Sequence, residues 1–140
     1  MTISLDAMIR DSSQISAVDL TGRRVLIVED ESMVTMLLQD FLEDIGCEVA
    51  GVASRLKEAF AKIDALTFDV AILDVNLNGE QTLPVAEALL AAGRAIVFAT
   101  GYAATTVPSQ LAAVPILQKP FQQQDLERAL RAALQARGPA

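Results

Sequence analysis

The sequence predicts an α/β domain built on a doubly wound, five-stranded parallel sheet with five helices, and three observations carry that prediction. Short apolar runs alternate with helix-periodic segments from Val25 onward, the rhythm of repeated βα units. Hydrophobic residues make up 52% of the chain, whereas aromatics are 4% and Trp is absent, so the core must be Val, Ile, Leu and Ala. That composition suits a parallel sheet covered on both faces. Finally, 140 residues suffice for one well-cored domain and are too few for two ordinary ones.

Residues 1–22 are read as an N-terminal arm and residues 23–138 as the folded domain. Leu5, Met8 and Ile9 sit at helical spacing, but a short isolated helix is marginal in water, so a loose arm is expected. The first strand is Val25-Leu26-Ile27-Val28. Val34, Leu37, Leu38, Phe41, Leu42 and Ile45 then trace one face of a helix that Gly46 closes. A second strand spans Glu48 to Val52, and Leu56, Phe60 and Ile63 mark the second helix. Val70-Ala71-Ile72-Leu73 is the third strand, followed by a helix from about Leu83 to Ala92 with Gly93 as its stop. The fourth strand, Ala95-Ile96-Val97-Phe98, leads into Ala103 to Ala113. That segment is a poor helix on local grounds, because Thr105, Thr106, Val107 and Pro108 lower propensity and remove a donor. Pro115-Ile116-Leu117 is the fifth strand. Gln124 to Ala136 repeats Leu126, Leu130 and Leu134 every fourth residue and ends before Gly138.

Composition also excludes functions. A net charge of −7 argues against a nucleic-acid surface and against anionic membranes. No apolar run reaches membrane-spanning length, and the first 16 residues lack the apolar core of a signal peptide, so a soluble, cytoplasmic protein is expected. The single cysteine, Cys47, rules out an internal disulfide and reads as a small buried hydrophobe. With no His in the chain, His-based metal sites and Ser/His or Cys/His catalysis are excluded.

In a parallel sheet all strand C-termini share one edge, where ligands bind. Glu29, Asp30 and Glu31 follow the first strand, Asp74 the third, Thr100 and Gly101 the fourth, and Lys119-Pro120 the fifth. Taken singly, each has an ordinary reading: acids at a helix start complement the macrodipole, and the others suit turns or surface. Jointly, they form a cluster of carboxylates that repel unless a hard cation neutralises them, and oxygen ligands of this kind suit Mg2+. A nucleophilic carboxylate beside such a metal can form an aspartyl phosphate, with the hydroxyl and ammonium holding the other phosphoryl oxygens.

The strings VLIVEDE, AILDVN, FATG and LQKPF, in this order, resemble the receiver domain of two-component response regulators over roughly Arg24 to Arg137. The resemblance implies a flavodoxin-like strand order of 2-1-3-4-5. It makes Glu29 and Asp30 the acidic pair for Mg2+ (with Mn2+ as a substitute), Asp74 the phosphoacceptor, Asn76 a donor of a backbone carbonyl to the metal, and Thr100 and Lys119 the phosphoryl sensors. A cis Lys119-Pro120 bond is frequent in such domains. FATGY further resembles a subgroup of single-domain receivers of alphaproteobacteria that pair with kinases of the HWE and HisKA_2 types, although Ala95-Ile96 stands where the subgroup has Pro-Phe. Ile116 occupies the place of the usual strand-five aromatic switch, which leaves Thr100, Gly101 and Tyr102 as the route outward.

A haloacid-dehalogenase-type phosphatase would need a second Asp where Asn76 stands, and a Rossmann or flavodoxin nucleotide site would need glycines where the acids stand. The resemblance therefore implies a single-domain response regulator taking phosphate from a histidine kinase or phosphotransfer protein. It would catalyse only its own phosphorylation and slow dephosphorylation, and homodimerisation is left open. The alternatives are a C-terminal receiver segment of a hybrid kinase or a phosphorylation-independent interaction module.

Overall fold

The computed structural model describes residues 18–77, 79–101, 111 and 113–137. Five parallel strands form the sheet: β1 (Arg24–Val28), β2 (Glu48–Ala53), β3 (Val70–Asp74), β6 (Ala95–Thr100) and β7 (Ile116–Gln118). Their spatial order is β2-β1-β3-β6-β7, so the reversal of direction falls at β1 and β3. Four helices are described: α1 (Ser32–Ile45), α2 (Leu56–Ala65), α3 (Leu83–Ala91) and α4 (Gln123–Arg137). The helix expected within Ala103 to Ala113 lies outside the described residues but for its last few positions, as does the arm before Val18.

Two departures from the expectation concern β structure. A two-stranded antiparallel hairpin, β4 (Asn76–Leu77) and β5 (Glu80–Gln81), sits between β3 and α3, pairing Asn76 with Gln81 and Leu77 with Glu80. The expected order 2-1-3-4-5 therefore applies to the sheet strands counted alone, and the chain numbering carries two more. Two-residue strands are too short to show a period of two, which is why apolar patterning missed them. The Asn78-Gly79 dipeptide between them was the available signal. The other departure is in strand length, since β3 and β6 run on to include Asp74 and Thr100, which had been placed just past strand ends.

Alternation along the strands divides the core into two layers. Val25, Ile27, Val70, Ile72, Val97 and Ala99 face α1 and α4. Leu26, Val28, Ala71, Leu73, Ile96 and Phe98 face α2 and α3. Both faces are thus covered, and β3 and β6 are buried throughout, which explains their unbroken apolar runs. Gly46 ends α1 in the left-handed region at φ 101°, its amide donating to the Leu42 and Glu43 carbonyls. Leu20, ahead of β1, joins the layer beneath α1 and α4, and its carbonyl accepts the Cys47 thiol at 3.3 Å. Burial pushes that thiol's pKa up, in keeping with its reading as a small buried hydrophobe. Among the described residues, no helix is long and apolar enough to cross a membrane.

Leu38 and Met36 share α1 but not an environment: Leu38 is fully buried and Met36 is 60% exposed. Leu38→Ala is expected to cost about 2–5 kcal/mol of unfolding free energy by urea titration, and Met36→Ala under about 1 kcal/mol. Equal losses would contradict the layer assignment.

Candidate functional site

The parallel sheet brings the ends of four strands, β1, β3, β6 and β7, to one edge. Glu29 follows β1 directly and is 2% exposed, while Asp74 closes β3 at 7% and Thr100 closes β6 at 1%. Asp30 and Glu31 stand more open at the entry to α1. Lys119 follows β7, and its backbone amide donates to the Thr100 carbonyl at 2.8 Å, so cation and hydroxyl are tied through the main chain. Pro120 follows in a cis peptide bond, and Phe121 meets Phe41 of α1 edge-on, with centroids 6.2 Å apart.

One ammonium serves several carboxylates. Lys119 Nζ lies 3.0 Å from Glu29 Oε1, 3.3 Å from Asp74 Oδ2 and 3.4 Å from Glu31 Oε1. The ammonium's hydrogen bond to Glu29 runs to Oε2, at 3.3 Å. Buried Oε1 receives the ammonium's charge but no aligned donor, since an ion pair requires proximity and a hydrogen bond requires direction. Oxygens of Glu29, Asp30, Glu31 and Asp74 all lie within 4.8 Å of one another. Burial, followed by the charge of Asp74, pushes the Glu29 pKa up to about 7 in spite of Lys119. Burial works against the Lys119 ammonium, yet the hydrogen bond to Glu29 and the charge of Asp74 outweigh it and hold its pKa above the ordinary value.

Asp74 is also fixed from its own loop. The Asn76 amide donates to Asp74 Oδ1 at 3.2 Å, which leaves Oδ2 toward Lys119, and Asn76 Oδ1 accepts the Gly79 amide at 2.7 Å. A cleft of about 480 Å³ opens over these groups, with Asp30, Asp74, Asn76, Thr100, Gly101 and Lys119 in its walls. An uncapped buried carboxylate oxygen among clustered carboxylates is a donor set that a hard divalent cation fits. The structure thus brings together Glu29, Asp30, Asp74, Asn76, Thr100, Gly101 and Lys119. Ile116 is half-buried in β7, away from the acids, and Tyr102 lies outside the described residues. Sequence reasoning noted Glu31 without giving it a role, and it missed Thr82, whose buried hydroxyl donates to the Asp74 carbonyl at 2.6 Å. The only sequence signal for Thr82 was a hydroxyl residue just ahead of Leu83-Pro84, the pattern of a helix start.

A raised acid pKa means that the folded state holds the proton more tightly than the unfolded chain. The stability this supplies is complete below about pH 4.5 and is lost as pH rises toward about 7. In metal-free buffer at pH 8, Glu29→Gln is expected to melt about 3–6 °C above the wild type, on the order of 1 kcal/mol. The gap should close below about pH 4.5. A wild type that melts as high as the variant at pH 8 would refute a cost of burying the Glu29 charge beside Asp74.

A family model described as the response regulator receiver domain matches residues 25–131. The chain is 39% identical over 56 residues to the chemotaxis protein CheY of Thermotoga maritima, covering 40% of this chain and 47% of that protein. It spans less than half the length of the curated relatives it matches. The solution structure of SdrG from Sphingomonas melonis Fr1 is 43% identical with a TM-score of 0.73, covering 84% of this chain and 98% of that one. A BeF3-activated conformation of SdrG, from Pseudomonas melonis Fr1, is also 43% identical, with a TM-score of 0.70, covering 79% and 95%. The SdrG likeness agrees with the subgroup resemblance at residues 98–102. With most of its length matched by that model and its acids, hydroxyl and lysine gathered at one sheet edge, the chain belongs to the response regulator receiver domain family.

Proposed function

We propose that this protein is a single-domain response regulator in which Asp74 accepts a phosphoryl group from a phosphohistidine on a sensor kinase or phosphotransfer protein. The observation that carries the reading is the contact of Lys119 with both Asp74 and Glu29 beneath an open cleft, next to the Thr100 hydroxyl's strand end. In the step itself, an Asp74 carboxylate oxygen forms the new O–P bond as the N–P bond of the donor breaks. The freed imidazole then takes a proton from solvent. Glu29, Asp30 and Asp74, with the Asn76 backbone carbonyl, would hold Mg2+ or Mn2+. When bound, the metal supplies charge neutralisation to the phosphoryl oxygens. Lys119 and Thr100 take the remaining oxygens, since phosphoryl transfer depends on positioning and charge.

The receiver body is taken as residues 23–138 with 1–22 as an arm, whose last residues from Val18 pack on the body. The 43% identity with SdrG supports a receiver of the same kind, and its BeF3-activated form supports activation through an acyl-phosphate-like state. Output runs by protein contacts or relay through Thr100, Gly101 and Tyr102, because Ile116 supplies no aromatic to β7. The FATGY resemblance favours an HWE or HisKA_2 kinase, in the cytoplasm. For the donor, α1 offers an apolar approach beside the acids: Met33 is 79% and Met36 60% exposed, and methionine surfaces adapt readily to a partner.

Incubation with acetyl phosphate and Mg2+ should add one phosphoryl group by mass spectrometry, abolished in Asp74→Ala and by chelation. An unlabelled wild type, or equal labelling of the variant, would defeat the proposal. Met33→Asp with Met36→Asp should slow transfer from the donor protein by roughly tenfold, about 1.4 kcal/mol of lost contact, and leave acetyl phosphate labelling unchanged. Equal slowing with both donors would place the effect on the site instead of the approach surface.

A further inference from the structure

We propose that Thr82 is a positioning residue, whose buried hydroxyl clamps the backbone of Asp74 and so sets where the Asp74 carboxylate and the Asn76 carbonyl stand. The inference rests on the reading of Asp74 as the acceptor.

Thr82 is fully buried at the N-terminal boundary of α3. A threonine there ordinarily caps the helix by accepting from an amide of the first turn. Here no side-chain cap bond forms, and Pro84 at the second helical position has no amide to offer. The hydroxyl is free to donate backward, 2.6 Å to the Asp74 carbonyl and 3.2 Å to that of Val75. The Thr82 amide donates to the Val75 carbonyl at 3.1 Å.

The Thr82 hydroxyl meets the Asp74 carbonyl where the β1 ladder has ended. Pairing of β3 with β1 stops at Leu73, so Asp74 projects one residue beyond that ladder, held on its other side by pairing with Ala99 of β6. A hydroxyl has a single proton, and 2.6 Å is at the short end of the range for such a bond. The clamp closes the loop from Asp74 to Thr82 at its base, with the β4–β5 hairpin as its body. That loop carries Asn76, whose amide orients the Asp74 carboxylate. Thr82 touches neither the reacting oxygens nor any metal ligand atom, and acts through the main chain alone.

Thr82→Val keeps the shape and removes the donor, whereas Thr82→Ser restores it. At saturating Mg2+ and acetyl phosphate, Thr82→Val should label roughly 10- to 100-fold more slowly, the scale of a misplaced reacting group, and Thr82→Ser within about threefold of wild type. The Asn76 amide signal of the metal-free protein should shift in Thr82→Val and return in Thr82→Ser. Wild-type rates in Thr82→Val, or equal losses in both variants, overturn the clamp. Should Thr82→Val fail to fold, the wild-type hydroxyl proton decides. Its persistence in a metal-free NMR spectrum supports the clamp, and exchange at solvent rate overturns it. A wild type that takes no phosphate, with that proton still slow, refutes Asp74 as acceptor and leaves the clamp standing.

Discussion

The charge balance at the C-terminal edge of the sheet is the constraint on which the rest of this molecule turns. A parallel sheet sends every strand C-terminus to the same rim, so residues at or just past the ends of β1, β3, β6 and β7 meet there. Four carboxylates and one ammonium are the result. Lys119 binds three of the acids, yet one oxygen of Glu29 stays buried without a donor directed at it. A fold optimised only for stability would replace such a group with an apolar one, since a buried charge needs full pairing. Stability is given up at this rim, and the clustered carboxylate oxygens it leaves are a donor set that a hard cation fits.

The surroundings hold that unfavourable arrangement in place. β3 and β6 are buried along their whole lengths, and their pairing runs through Asp74 and Ala99 to the rim itself. Lys119 is anchored through its amide to the Thr100 carbonyl, so the spacing of these two residues is held by the backbone. On the other flank, the hairpin and Thr82 fix the loop after Asp74.

Much of this was legible from residues alone. Helix α1 was readable because its apolar residues recur at helical spacing and Gly46 supplies a left-handed stop, and the structure places that stop at φ 101°. The sheet strands were readable as apolar runs, because a strand buried on both faces leaves no room for polar alternation. The hairpin was not, since two residues cannot display a period. Leu20 was assigned to the arm because the polar residues around it break the pattern, and only packing against the layer under α1 and α4 reveals it as core.

The site divides along the same line. Sequence by itself determined which chemical groups reach the rim, because the residue after each strand is fixed once the strands are found: Glu29, Asp30, Asp74, Thr100 and Lys119. Tertiary structure alone decided which of them touch. It gave Lys119 to Glu29 as well as to Asp74, drew in Glu31, and aimed the Thr82 hydroxyl at the Asp74 carbonyl instead of its own helix. Those choices depend on distances between segments as far apart as Glu29 and Lys119, and on which buried polar atoms are left without partners. Local periodicity carries no information about either.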